Sequence, residues 1–179
     1  WEHFRHVSVG VSVDGVGKVN DYIRYPSKWK NIQKNIEKVS TFKDDISMDL
    51  QIHATFQLMN VLDWGNLLEW TFSLGELGFW RIPFSNWVTY PEYHDARLLP
   101  KNLKDTALKR INKFLDSKKD VEWTIGEEQW LGILKSNLLT IKEPIEHDKS
   151  RVTELVETVK EHTTLLDLNR GQHVKEYIP

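Results

Sequence analysis

Three stretches of the chain place apolar side chains at alternate positions, and two stretches between them place such side chains every three to four positions. The first alternating stretch covers residues 5 to 13 and reads Val7-Ser8-Val9-Gly10-Val11-Ser12-Val13 at its centre. Both of its faces carry valine or small residues, the pattern of a central parallel strand covered on both sides. The second covers residues 47 to 58, with Leu50, Ile52, Ala54, Phe56 and Leu58 on one face and Asp49, Gln51, His53, Thr55 and Gln57 on the other. The third runs from Phe79 to Tyr90 and contains Arg81, Ser85 and Asn86, with Pro83 marking an edge or a bulge. Between the first two lies a helix over residues 28 to 40, buried through Trp29, Ile32, Ile36 and Val39 and capped by Ser27. Between the second and third lies a helix over residues 64 to 77, capped by Asp63, apolar nearly all round and ended by Gly75 and Gly78. Strand, helix, strand, helix, strand predicts a parallel sheet with right-handed crossovers.

After Pro100 the pattern becomes helical throughout. Leu103, Ala107, Leu108, Ile111, Phe114 and Leu115 form one amphipathic stripe, and Trp130, Leu131, Leu134, Leu138 and Leu139 form a second. Val152, Leu155, Val156 and Val159 form a third, capped near Asp148, and an Asp167-Leu-Asn-Arg170-Gly171 segment follows. The expected fold is α/β: three parallel strands with crossover helices over residues 1–99, followed by a helical region over residues 100–179 that packs on them within a single structural domain. The 179 residues are enough for one sizeable core.

Composition narrows the partners. A formal charge of -2 gives no field for a polyanion, and Lys28, Lys30, Lys34 and Lys38 on one helix face are the only basic block. Nucleic acid is not an expected partner. The absence of cysteine removes disulfides, cysteine-ligated zinc and iron–sulfur clusters from this chain. No apolar run approaches the roughly 18 residues of a membrane helix, and no basic-then-apolar secretory start is present, so a soluble, cytoplasmic protein without a membrane partner is expected. The chain opens on Trp1 with no initiator methionine, as a piece of a longer protein would.

Candidate chemistry gathers where the first strand ends. Asp14-Gly15-Val16-Gly17 is a tight loop at the strand's C-terminal end, the place where open α/β sheets bind ligands. It fits neither phosphate fingerprint: Val16 and Gly17 stand where a Walker loop needs Lys and Ser or Thr, and Asn20 where a dinucleotide loop starting at Gly15 needs glycine. A ligand loop and a plain turn both remain open on these residues. Asn60 falls just past the second strand and beside Asp14. His53 has the chemistry of a ligand or a base, although a strand histidine is commonly only hydrogen-bonded packing. Glu92, His94 and Asp95 carry side chains that suit a divalent ion, but three such residues in a short loop recur by chance, and no metal site is assigned.

Ser12-Val13-Asp14-Gly15, then Asp21-Tyr22-Ile23-Arg24-Tyr25-Pro26-Ser27-x-Trp29 and a helix containing Asn35, resembles the middle of radical S-adenosylmethionine (SAM) enzymes of the SPASM and twitch group. A strand ending in Thr55 and leading to Asn60, a third strand running to Pro91, and the terminal Asp167 and Arg170 are similar too. The resemblance implies that these are the fourth, fifth and sixth strands of a partial (β/α) barrel, so that the chain is half of one. It implies that Ser12 contacts the SAM ribose, that Asp14 lies near the reacting carbons, that Gly15 beside it belongs to the cofactor-binding set, that Arg24 reaches the SAM carboxylate or ribose, and that Asn60 joins them at the barrel mouth. Arg81, Ser85 and Asn86 would face substrate. Hydroxyls and carboxylates hold ribose hydroxyls, and a guanidinium pairs with a carboxylate.

The same resemblance exposes what is missing. The CxxxCxxC loop that ligates the family's cluster is absent, as is the Gly-Gly-Glu segment that holds the SAM amino group. The expectation is therefore the C-terminal half of a radical SAM protein, binding SAM only together with its missing half, with no iron–sulfur cluster and no catalytic residue of its own. A strand built to be central would then be an open edge, through which two chains associate as a homo-oligomer. The alternative is an inert α/β binding or assembly module acting through self-association or a protein partner. An unrelated hydrolase or metal enzyme using His53, or Glu92, His94 and Asp95, ranks last.

Overall fold

A computed structural model of the chain describes residues 3–178. Strands β1 (Val7–Ser12), β2 (Met48–Phe56) and β3 (Phe84–Trp87) form one sheet in the order β1-β2-β3, and both pairings are parallel. Val9 lies opposite Leu50, Ser12 opposite His53, and Thr55 opposite Asn86. Helices α1 (Lys18–Ile23) and α2 (Trp29–Ser40) cross from β1 to β2, and α3 (Trp64–Ser73) crosses from β2 to β3. Helices α4 (Lys101–Ser117), α5 (Ile125–Thr140) and α6 (Lys149–Arg170) make up the C-terminal region. The molecule is thus α/β, with three parallel strands and a helical C-terminal region. No described helix is long and apolar enough to cross a membrane.

The period-two alternation of β2 sorts its side chains between two unlike faces. Leu50, Ile52, Ala54 and Phe56 are buried, and they share a core cluster with Trp29 and Ile36 of α2 and Trp64, Leu67 and Leu68 of α3. Phe56 packs its ring 4.9 Å from that of Trp64 and 5.3 Å from that of Trp87. Helix α4 extends the cluster through Ala107, Leu108, Ile111 and Phe114, and α5 through Leu131, Leu134 and Leu138. Gly65 of α3 lets α4 approach, because a Cβ there would lie 3.1 Å from Arg110 Cβ. The opposite face of the sheet is polar. On it Ser8, Gly10 and Ser12 are exposed, and Gln51, His53 and Thr55 are half-buried.

This arrangement corrects the expectation of a first strand covered on both faces. β1 pairs with β2 alone, it forms the edge of the sheet, and only its Val7, Val9 and Val11 face is packed. Small residues at alternate positions mark an uncovered face as readily as a doubly covered one. The third strand is also shorter than its apolar run. Phe79 forms only an isolated bridge with Leu50, and regular pairing begins at Phe84, after Pro83 has removed a donor. The helix at residues 18 to 23 has no sequence signature, since six residues are too few to display a period.

Two caps differ from expectation. Lys28, not Ser27, occupies the N-cap of α2, and the Asp21 carboxylate accepts the Trp29 N–H from outside the helix. Asp63 does occupy the N-cap of α3, but its carboxylate accepts from Val16 N–H and the Asn66 amide instead of capping. The Asp148 cap of α6 forms as expected, with the carboxylate accepting Arg151 N–H at 2.8 Å.

Replacing Leu68, fully buried between sheet and α4, with alanine is expected to cost about 2–5 kcal/mol. Replacing the exposed Leu139 should stay within about 0.5 kcal/mol. Urea unfolding midpoints of the two variants check the contrast.

Candidate ligand-binding rim at the strand ends

The C-terminal ends of β1 and β2 meet at Asp14. Its Oδ1 accepts the Thr55 N–H at 2.9 Å and the Thr55 hydroxyl at 2.6 Å. Its Oδ2 lies 2.8 Å from Arg24 Nε, an ion pair in which the N–H is out of line for a hydrogen bond. The Asp14 N–H donates to Asn20 Oδ1 at 3.0 Å, while Asn20 Nδ2 is buried without a partner. One carboxylate thus links strand β1, strand β2 and the end of α1. Beside it, the Asn20 Nδ2 donor is buried without an acceptor, while Arg24 Nε faces the Asp14 carboxylate. Buried donors without acceptors are rare in folded proteins.

The glycine loop is occupied by the protein's own acid. Val16 N–H donates to Asp63 Oδ2 at 2.8 Å, so the carboxylate of Asp63 takes an amide that a phosphate would otherwise accept from. Burial raises the Asp63 pKa, against the opposing pull of the Val16 N–H, the Asn66 amide and Arg110. Gly15 is required by close approach, since a Cβ there would stand 2.5 Å from Val19 Cγ1. Gly17, at φ 60°, supplies the left-handed turn into α1.

The expected site residues separate into four groups. Asp14, Gly15 and Arg24 gather on the rim, with Asn20 and Thr55, which the motif reading did not assign to the site. Ser12 lies on the exposed polar face one pair before it, and Asn86, opposite Thr55, is exposed beside it. Asn60 is at the rim but fully engaged: its Oδ1 accepts from Gln57 N–H and Trp64 Nε1, both at 3.0 Å, and its Nδ2 donates to Thr55 O. It is 1% exposed and shapes the turn after β2 from within.

Arg81 and Ser85 do not join the rim. Arg81 precedes β3, and its guanidinium forks onto Glu127 of α5, with Nε 2.9 Å from Oε1 and Nη2 2.7 Å from Oε2. Ser85 is fully buried on the other face, within reach of the Asn137 amide at 3.4 Å. His53 stacks on Phe84 with ring centroids 4.6 Å apart and covers Gly10. Burial lowers its pKa.

Glu92, His94 and Asp95 turn to different partners. Glu92 pairs with Arg151 at 2.7 Å, and Asp95 caps the turn Ala96–Leu98 and pairs with Arg97 at 2.8 Å. His94 packs against Tyr93 and His162. Among the described residues, no group of three or more His, Cys, Asp or Glu side chains is arranged to hold a metal ion.

The terminal Asp167 and Arg170 close over the rim from outside. The Tyr22 hydroxyl donates to Asp167 Oδ1 at 2.9 Å, and Arg170 Nη1 donates to the Tyr22 carbonyl at 2.9 Å. Burial first, and then the Asp167 carboxylate, raise the Tyr22 pKa well above the usual phenol range. Comparison of the chain with protein-family models, with curated proteins and with solved structures found no match.

Replacing Asp14 with alanine leaves both Thr55 donors without their acceptor, at about 1–3 kcal/mol for each buried one. Asparagine keeps an oxygen for Thr55 and should cost visibly less in the same chemical denaturation experiment. A pH titration tests the second pair. Burial pushes the Glu127 carboxyl up, but the Arg81 fork and the Thr124 and Arg81 N–H groups outweigh it and hold the pKa at about 2, against an ordinary 4.5. Its stabilising effect is therefore complete above pH 4.5 and disappears as pH falls through about 2. Stability measured across that interval should fall less steeply in Glu127→Gln.

Proposed function

We propose that the chain is half of a radical SAM-type partial barrel, presenting part of the surface for the SAM ribose and carboxylate and unable to cleave SAM by itself. The observation that carries this reading is the placement of the half-exposed Arg24 guanidinium, paired with Asp14, beside the exposed Ser12 at the C-terminal ends of parallel strands. Ribose hydroxyls and a carboxylate are oxygen acceptors that the remaining guanidinium N–H groups and the Ser12 hydroxyl can meet. The exposed Ser8, Gly10 and Ser12 face and the free edge of β1 lend support, since a barrel interior is polar where it meets ligand and a barrel strand is paired on both sides. Asn60 fits less well, its amide being saturated within the chain. The sequence holds no cysteine, so any cluster that reduces SAM belongs to other polypeptide.

A second reading, an assembly module without chemistry, draws on the same free edge. A strand with unpaired N–H and C=O groups accepts another strand, and self-association through β1 would complete its pairing.

Backbone amide NMR during titration with millimolar SAM separates the readings. Saturable shifts are expected at Ser12 to Gly17 and Arg24, and they should be lost in Arg24→Gln. A spectrum indifferent to SAM overturns the first reading. Sedimentation equilibrium tests the second: a dimer that dissociates in Val9→Pro supports it, and a monomer at every concentration counts against it.

A further inference from the structure

Beyond the Asp14 rim, a second cleft opens at the same end of the sheet. It has a volume of about 270 Å³ and lies between α1, the segment following β2, the turn Glu92–His94 and α6. Its polar lining is Tyr22, Gln57, His94, His162 and Arg170, and no carboxylate is among its lining residues. His162, Leu166 and Arg170 recur at intervals of four along α6, so one stripe of that helix forms a wall. His94 stands opposite, its ring edge-on to His162 with centroids 5.7 Å apart, and its carbonyl fixes the wall to β2 by accepting Leu58 N–H at 2.8 Å.

Two features are unexplained by packing. His94 Nδ1 is buried and makes no hydrogen bond. Arg170 donates Nη1 to the Tyr22 carbonyl and lies 4.9 Å from the Tyr25 ring centroid and 5.9 Å from that of Tyr22, but pairs with no carboxylate among the described residues. Asp167, the nearest acid on its helix, is engaged by the Tyr22 hydroxyl and the Val174 N–H. A guanidinium held between two rings keeps a fixed plane and offers its remaining N–H groups in a set direction. The His94 and His162 rings line the same cleft, and in the tautomer that turns its N–H into the cleft an imidazole adds a donor, so the partner such a group lacks is an acceptor bearing negative charge.

We infer that this cleft binds a small oxyanion, the phosphate or carboxylate group of a compact ligand, between Arg170, His94 and His162. The volume accommodates a small molecule of a few functional groups. The position outside the carboxyl ends of parallel strands is the usual one for such ligands. The cleft is distinct from the SAM rim, and neither proposal depends on the other.

Inorganic phosphate and acetate, titrated separately into the full chain, test the inference through the ring 1H–13C signals of His94 and His162. One of the two anions is expected to shift both rings saturably, and which of them does so at lower concentration assigns the phosphate or carboxylate class. Affinity should fall at least tenfold in His162→Gln and in Arg170→Gln, with partial recovery in Arg170→Lys. Because Arg170 also supports Tyr22, the His162→Gln variant, whose amide spectrum should remain that of the folded protein, decides if Arg170→Gln fails to fold. Absence of saturable shifts with either anion, or affinity unchanged in His162→Gln, overturns the inference.

Discussion

The Asp14 carboxylate is the point on which the N-terminal half depends. A parallel sheet cannot be closed by a short hairpin, so its strands need a long crossover and something to register their ends. Asp14 does the second job: it receives both donors of Thr55 on β2 and the charge of Arg24 after α1, while its own N–H holds Asn20. These bonds place the start of one crossover directly on the end of the neighbouring strand. Asp63 repeats the device from the second crossover by accepting Val16 N–H. The turns following β1 and β2 are therefore cross-linked by carboxylates, and the rim is a rigid frame.

That frame explains why the candidate site is only partly available. Acceptors on the rim are consumed internally, by Thr55, Val16 and the Asn60 contacts, and Arg24 Nε is spent on Asp14, whereas the Asn20 Nδ2 donor is left over behind them. The imbalance at the rim is one of donors over acceptors. The neighbouring cleft under α6 shares this bias through Arg170 and His94. Two adjacent regions at one end of the sheet thus have the same polarity, although different elements build them.

Much of this was legible along the chain. The alternation of Leu50, Ile52, Ala54 and Phe56 assigned the buried face of β2, and the spacing of Trp29, Ile36 and their neighbours assigned α2, because burial acts through local period. Asp14 and Arg24 were both singled out by the motif, but their ion pair was not foreseen. What escaped was decided at long range or by too few residues. Arg81 was expected to face substrate, but Glu127, 46 positions later, draws its guanidinium to the start of α5. Ser27 was the better cap by type, and Asp21 reached the helix end through space. Val7 to Val13 read as doubly covered because glycine and serine suit a packed face and a bare one equally. His94 and His162 belong to separate local patterns and meet only when α6 lies back across the strand ends.

The clasp between Tyr22 and α6 has an implication for how the protein is made. Tyr22 and Asp167 are 145 positions apart, so the Tyr22 hydroxyl and carbonyl receive their partners only after synthesis has passed Asp167 and Arg170. Contacts of such separation form late, after loop closure has been achieved by nearer ones. A nascent chain would assemble its sheet and core while α1 and the turn at Tyr25 still lacked their cover. During that interval the rim would lie open to solvent, and to any chaperone or partner that reached it before α6 did, and the second cleft, walled by α6, would not yet exist.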